Sequence, residues 1–117
     1  MQIVSVVMSV LLAIVAWVSA VGKLQKKPQI MDTMAHVGVK PNQIPVLAYL
    51  EIAGGLGLLV GLAYSSIGAL AGAGLSLYFL GAVVAHLKKK DGAALFGPAL
   101  FLALLNAVNA YFIVQSF

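Results

Sequence analysis

Three stretches of this chain carry almost no charge, and their lengths decide what it can fold into. Residues 1–22 and 92–117 hold no Lys, Arg, Asp or Glu, and residues 45–87 hold only Glu51. A bilayer core takes an apolar helix of about 20 residues, so each stretch is a candidate for crossing it. The middle stretch would be about 65 Å long as one helix, roughly twice the core thickness. It must therefore fold back, and Ala63-Tyr64-Ser65-Ser66 is the natural turn. Four spans follow, at about 3–21, 46–64, 67–87 and 94–115.

Composition agrees. Charged residues make up 9% of the chain and hydrophobic residues 62%, against about a quarter charged in a soluble domain. The four spans use most of the 117 residues and leave no room for a catalytic domain outside the bilayer. The expected fold is all-α: a single membrane domain over residues 1–117, built as an antiparallel four-helix bundle. The absence of cysteine removes disulfides, thiol redox chemistry, iron–sulfur clusters and c-type haem attachment. The first span has no basic residue before it, so it reads as a retained span and not as a cleaved signal peptide.

All seven basic residues are lysines, and they lie on one side of the four-span arrangement. Lys23, Lys26, Lys27 and Lys40 fall between spans one and two, and Lys88, Lys89 and Lys90 between spans three and four. The positive-inside rule makes both loops cytoplasmic and sends both termini outside, as expected of a multi-pass protein of the cell membrane. The same placement argues against nucleic acid as the partner of a chain with net charge +4. In the first loop, Pro28 can open a short helix and Gly38 can close it. Ile30, Met31, Met34 and Val37 then recur on one face, as in a helix lying at the membrane interface. Residues 91–97 read as a partly bent lead-in to span four, with Pro98 near the start of the helix, where proline is best tolerated.

Helices in lipid associate where small residues allow close approach. Span one carries Ser5, Ser9, Ala13, Ala16 and Ala20 on one face, with Lys23 continuing it. Span two has Ala53, Gly57 and Gly61. Span three has Gly68, Gly72, Leu75, Phe79, Ala82 and His86, and span four has Ala99, Ala103, Asn106 and Ala110. Gly57, Gly61, Gly68 and Gly72 are expected to bring spans two and three together.

Three ionisable residues fall near the lysine-loop end of these faces: Lys23, Glu51 and His86. An acid inside the bilayer is unfavourable unless it is paired or protonated, so Glu51 should face the interior and meet Lys23, His86 or both. Each residue also has a plainer reading. Glu51 can be a structural ion-pair partner, Lys23 a lysine that snorkels to headgroups, and His86 an interfacial histidine. Asn106 and Asn109 form a second polar pair, best suited to hydrogen bonds across helices. Trp17 and the four tyrosines read as interfacial or packing residues. Asp32 and His36 lie four apart on the loop helix but lack a third ligand, so no metal site is expected.

Ala20-Val21-Gly22-Lys23-Leu24, the stretch from Tyr49 through Glu51-Ile52-Ala53-Gly54-Gly55 to Leu62, and Gly81-Ala82-Val83-Val84-Ala85-His86-Leu87 together resemble the DoxX-like family of small four-span membrane proteins. The resemblance implies the bundle architecture. It also implies relatives of several kinds: the membrane subunit of a thiosulfate:quinone oxidoreductase, a component of a membrane oxidoreductase complex handling oxidative stress, and NACHO, a chaperone for nicotinic receptors.

No nucleophile, base and orienting group stand together in the sequence, so the reading leans non-enzymatic. The leading expectation is a bundle that binds a lipid-like molecule or a membrane-protein partner, in an accessory or chaperone role. Self-association is a further expectation, because so small a bundle has little interior of its own. The alternative is an accessory subunit of a quinone-linked oxidoreductase. No cofactor is expected otherwise; a quinone carbonyl would need a donor at the depth of Lys23 or His86. Ion transport is a third reading, weakened by the sparse polar residues of the outer half.

Overall fold

The computed structural model describes residues 3–90 and 92–115, with the backbone alone for residues 93–96. The described residues form five α-helices: α1 (Ile3–Leu24), α2 (Pro28–His36), α3 (Ile44–Val60), α4 (Ser65–Lys88) and α5 (Ala93–Val114). The described residues contain no strand. α1, α3 and α4 are long and apolar enough to cross a membrane, as is α5 from Gly97 onward. Each of these helices lies beside its neighbour in the chain, and α1 closes the ring against α5.

The small-residue face of α1 is buried along its whole length. Ser5, Ser9, Ala13, Ala16 and Ala20 are each at most 1% exposed. On the opposite side Leu11, Val18 and Val21 face outward, as helices in lipid require. The central core joins Leu12, Ala13 and Ala16 of α1 to Leu58, Leu75, Phe79 and Ala103.

α3 packs on two sides, and the sequence pattern showed one. Ile44, Ala48, Glu51, Gly55 and Leu58 are its buried residues. The Trp17 indole of α1 lies against Gly55 and donates to the Ile52 carbonyl at 3.2 Å. Gly57 and Gly61 face α4 instead. A Cβ on Gly57 would stand 2.7 Å from the Ala71 Cβ, and one on Gly61 would collide with the Gly68 backbone. Ala53, expected on that face, is exposed. Gly72, expected against span two, packs on α5, where a Cβ would meet Ala110 at 3.1 Å. The reason is geometric: α4 sits between α3 and α5, and each helical turn brings its stripe past both.

The α3–α4 turn comes earlier than the sequence suggested. α3 ends at Val60, residues 61–64 make the turn, and Ser65 already begins α4. Tyr64 N–H donates to the Val60 carbonyl, and the Tyr64 carbonyl accepts from Ile67 and Gly68.

The loop helix forms as its composition predicts. Pro28 stands in its first turn, and Gly38 follows it at φ +84°, a conformation glycine adopts without penalty. Val39 N–H donates to the Met34 carbonyl and closes the end. No residue of α2 is buried, but Ile30, Met31 and Met34 are half-buried on one side. A 3-10 turn at Pro41–Gln43 leads into α3. Of the bent lead-in expected at residues 91–97, Asp91 lies outside the described residues. From Ala93 the chain is helical through Pro98.

Candidate functional site

Glu51 stands two helical turns into α3, about 10 Å from its start. Its side chain is completely buried. The heptad-like run Ile44, Ala48, Glu51, Gly55, Leu58 turns it toward α1, where Lys23 ends the small-residue face. The Lys23 Nζ donates to Glu51 Oε1 at 2.7 Å and to Ser19 Oγ at 2.7 Å. Lys23 is only 8% exposed. This lysine therefore does not snorkel away to the headgroups; it neutralises the acid inside the bundle. Away from water such a pair is stable only with good geometry and further hydrogen bonds. The short distance and the Ser19 hydroxyl supply both.

One atom of the pair is left over. Glu51 Oε2 is buried without a hydrogen-bond partner among the described residues. Tyr78 of α4 approaches the same carboxyl group, and its ring stands edge-on to Phe79 at a centroid distance of 5.2 Å. The acid is thus held between α1 and α4.

Next to this pair, at the end of the bundle carrying the lysine loops, is a cavity of about 380 Å³. Lys23, Tyr78 and His86 line it among apolar side chains that include Phe79, Ala82 and Leu102. Met34, Val37 and Val39 cover it from the α2 side. Ligand sites are commonly clefts of about 300–1,000 Å³, mostly apolar, with a few placed polar groups. The cavity falls in that class. His86 is half-buried in this wall. Of the three residues singled out from sequence, Lys23 and Glu51 are joined directly, and Lys23 and His86 share the cavity lining.

Asn106 and Asn109 lie in the half of the bundle away from the lysine loops, at 1% and 0% exposure. Asn109 Nδ2 donates across helices to Ser9 Oγ at 3.1 Å. Asn106 Nδ2 donates to the Leu102 carbonyl of its own helix at 2.9 Å. Ser76 Oγ donates to the Ala103 carbonyl at 2.9 Å and ties α4 to α5. The apolar layer of Leu12, Ala16, Leu58, Leu75 and Phe79 lies between these amides and the Lys23–Glu51 pair. Asp32 and His36 are exposed on α2. Among the described residues, no three His, Asp or Glu side chains converge as metal ligands.

Sequence reasoning passed over two members of the site. Ser19 stands four residues before Lys23, the spacing that puts its hydroxyl one turn from the lysine on the same face. Tyr78 was grouped with the packing aromatics. Its signal is depth: it lies eight residues before His86, about 12 Å deeper in the bundle.

No curated protein and no solved structure gives a match. A family model does, over residues 7–108. That match takes in Lys23, Glu51, Tyr78 and His86 and stops one residue short of Asn109, and the fold carries the four apolar helices such a protein requires. The chain belongs to the DoxX-like family.

Proposed function

We propose that this protein is a non-catalytic membrane bundle that holds a lipid-like amphiphile in the cavity beside Lys23, Tyr78 and His86. The observation that carries the reading is a cavity of ligand size whose lining joins apolar walls to three hydrogen-bonding side chains. The Lys23–Glu51 pair fixes the polar side of that cavity, and its charges cancel, which suits an uncharged headgroup. A shallower groove between α3 and α4, lined by Leu50, Gly54, Leu70 and Gly74, shares Tyr78 with the cavity. It offers an apolar tail a path toward the surrounding lipid. Membrane topology completes the reading: both lysine loops face the cytoplasm and both chain ends face out.

Ala82 gives the test. It is half-buried, lines the cavity, and stands one helical turn from both Tyr78 and His86. Ala82→Phe should place its ring in the cavity and melt no lower than the parent. Organic extraction and mass spectrometry of the two purified proteins should find an amphiphile enriched with the parent and depleted at least about tenfold with Ala82→Phe, a factor equivalent to about 1.4 kcal/mol. Equal recovery from both would refute the reading.

A second reading follows from the same lining. Lys23 and His86 can donate to a carbonyl oxygen, so a quinone of an associated oxidoreductase fits the headgroup position, with this chain as its accessory subunit. Titration with decylubiquinone, followed through Trp17 fluorescence, separates the two readings. Saturable quenching that Ala82→Phe abolishes supports the quinone; linear quenching alike in both proteins removes it.

A further inference from the structure

The α1–α5 seam is the slightest of the four contacts that close the ring of spanning helices. It also holds a concentration of buried polar atoms that the helices leave unsatisfied. Ser5, Ser9 and Asn109 are fully buried and Asn106 is 1% exposed. A hydrogen bond joins the helices, from Asn109 Nδ2 to Ser9 Oγ. Ser5 Oγ, Asn106 Oδ1 and Asn109 Oδ1 have no partner among the described residues.

Those three atoms are spread along the seam on both sides of one interhelical bond. The helices run antiparallel, and the Ser9–Asn109 bond fixes their register. Ser5 is then about 6 Å from Ser9 along α1, toward its N-terminus, and Asn106 about 4.5 Å from Asn109 in the opposite direction. Two of the atoms are carbonyl oxygens, which accept only. They cannot satisfy each other. Turning over the Asn106 amide would set its oxygen against the Leu102 carbonyl oxygen, so that amide is fixed as it stands. Three such groups in one seam lose their full solvation with nothing in return. A small molecule that both donates and accepts removes the deficit, and buried waters of this kind typically make two to four hydrogen bonds.

We propose that the α1–α5 seam holds two internal waters: one donates to Oδ1 of both Asn106 and Asn109, and the other joins Asn109 Oδ1 to Ser5 Oγ. They complete a polar latch between the first and last spans. The latch is local, because the apolar layer of Leu12, Ala16, Leu58, Leu75 and Phe79 lies between it and the Lys23–Glu51 pair. The site is therefore structural, and it does not feed a path across the bundle.

The chain has three asparagines, Asn42, Asn106 and Asn109, so ¹⁵N-asparagine labelling gives three side-chain signals. Water-edited solid-state NMR on the protein in bilayers reads them directly. Asn42 lies exposed in the loop and is the positive control. The helical backbone amides of Asn106 and Asn109 are the controls for slow relay. The side-chain amide of Asn106, Asn109 or both should fill from water at least about twice as fast as their own backbone amides. Ser5→Val, which removes one hydrogen-bonding group of the site, should slow the transfer to Asn109. If both side-chain amides fill no faster than the backbone while Asn42 fills promptly, the seam is dry and the proposal fails.

Discussion

Lys23 and Glu51 depend on each other for their place in the bundle, and substitution can expose that dependence. Removing one partner of a buried pair leaves an uncompensated charge and typically destabilises by about 3–5 kcal/mol. Lys23→Met or Glu51→Leu alone should lower stability by that order. The double variant should recover most of the loss, because well-packed apolar side chains replace such pairs at little net change. A thermal or denaturant series in mild detergent measures all three. A double variant as unstable as the sum of the singles would mean that the pair is not the unit. These two residues were legible in the sequence because two independent cues agree on them: depth along the span, and membership of a small-residue face. Tyr78 and Ser19 were not. Neither has an unfavourable position that demands explanation, and their roles appear only once Lys23 and Glu51 are in place.

At the level of the helices, backbone contact is the sharpest feature. A Cβ on Gly68 would come within 2.9 Å of the Gly61 Cα, and the obstacle is main chain that cannot rotate away. Gly61→Leu should therefore destabilise by about 1–3 kcal/mol or more, the range for overpacking. Gly74 sits on the same helix as Gly68, yet a Cβ there meets nothing within 4 Å. Gly74→Leu should leave the melting temperature within a degree or two of the parent. Equal melting of both variants would show that α3 and α4 do not touch at Gly61. The face of α1 could be read from sequence completely, since its small residues form a single stripe. α3 could not be read that way. It meets α1 through Glu51 and Gly55 and α4 through Gly57 and Gly61, so one stripe describes half of its packing and misplaces Ala53.

On the scale of the whole molecule, the four spans were fixed by where charge is absent, and the turn between α3 and α4 moved by only a few residues. The cavity was beyond the sequence because it is a property of assembly: α1, α2, α3, α4 and α5 all contribute to its lining. Orientation remains a prediction of the lysine loops. The native chain has no cysteine, so a Ser65→Cys variant carries one label site at the α3–α4 turn. A membrane-impermeant maleimide should modify it in intact cells; modification only after the cytoplasmic face is opened would reverse the orientation. The central claim is that the cavity beside Lys23, Tyr78 and His86 houses an amphiphile. A high-resolution density map of the protein extracted together with its native lipid tests this most directly. The account predicts elongated density inside the cavity, with its polar end within hydrogen-bond reach of Lys23, Tyr78 or His86. A cavity closed by its own side chains, or holding only isolated water, would contradict it.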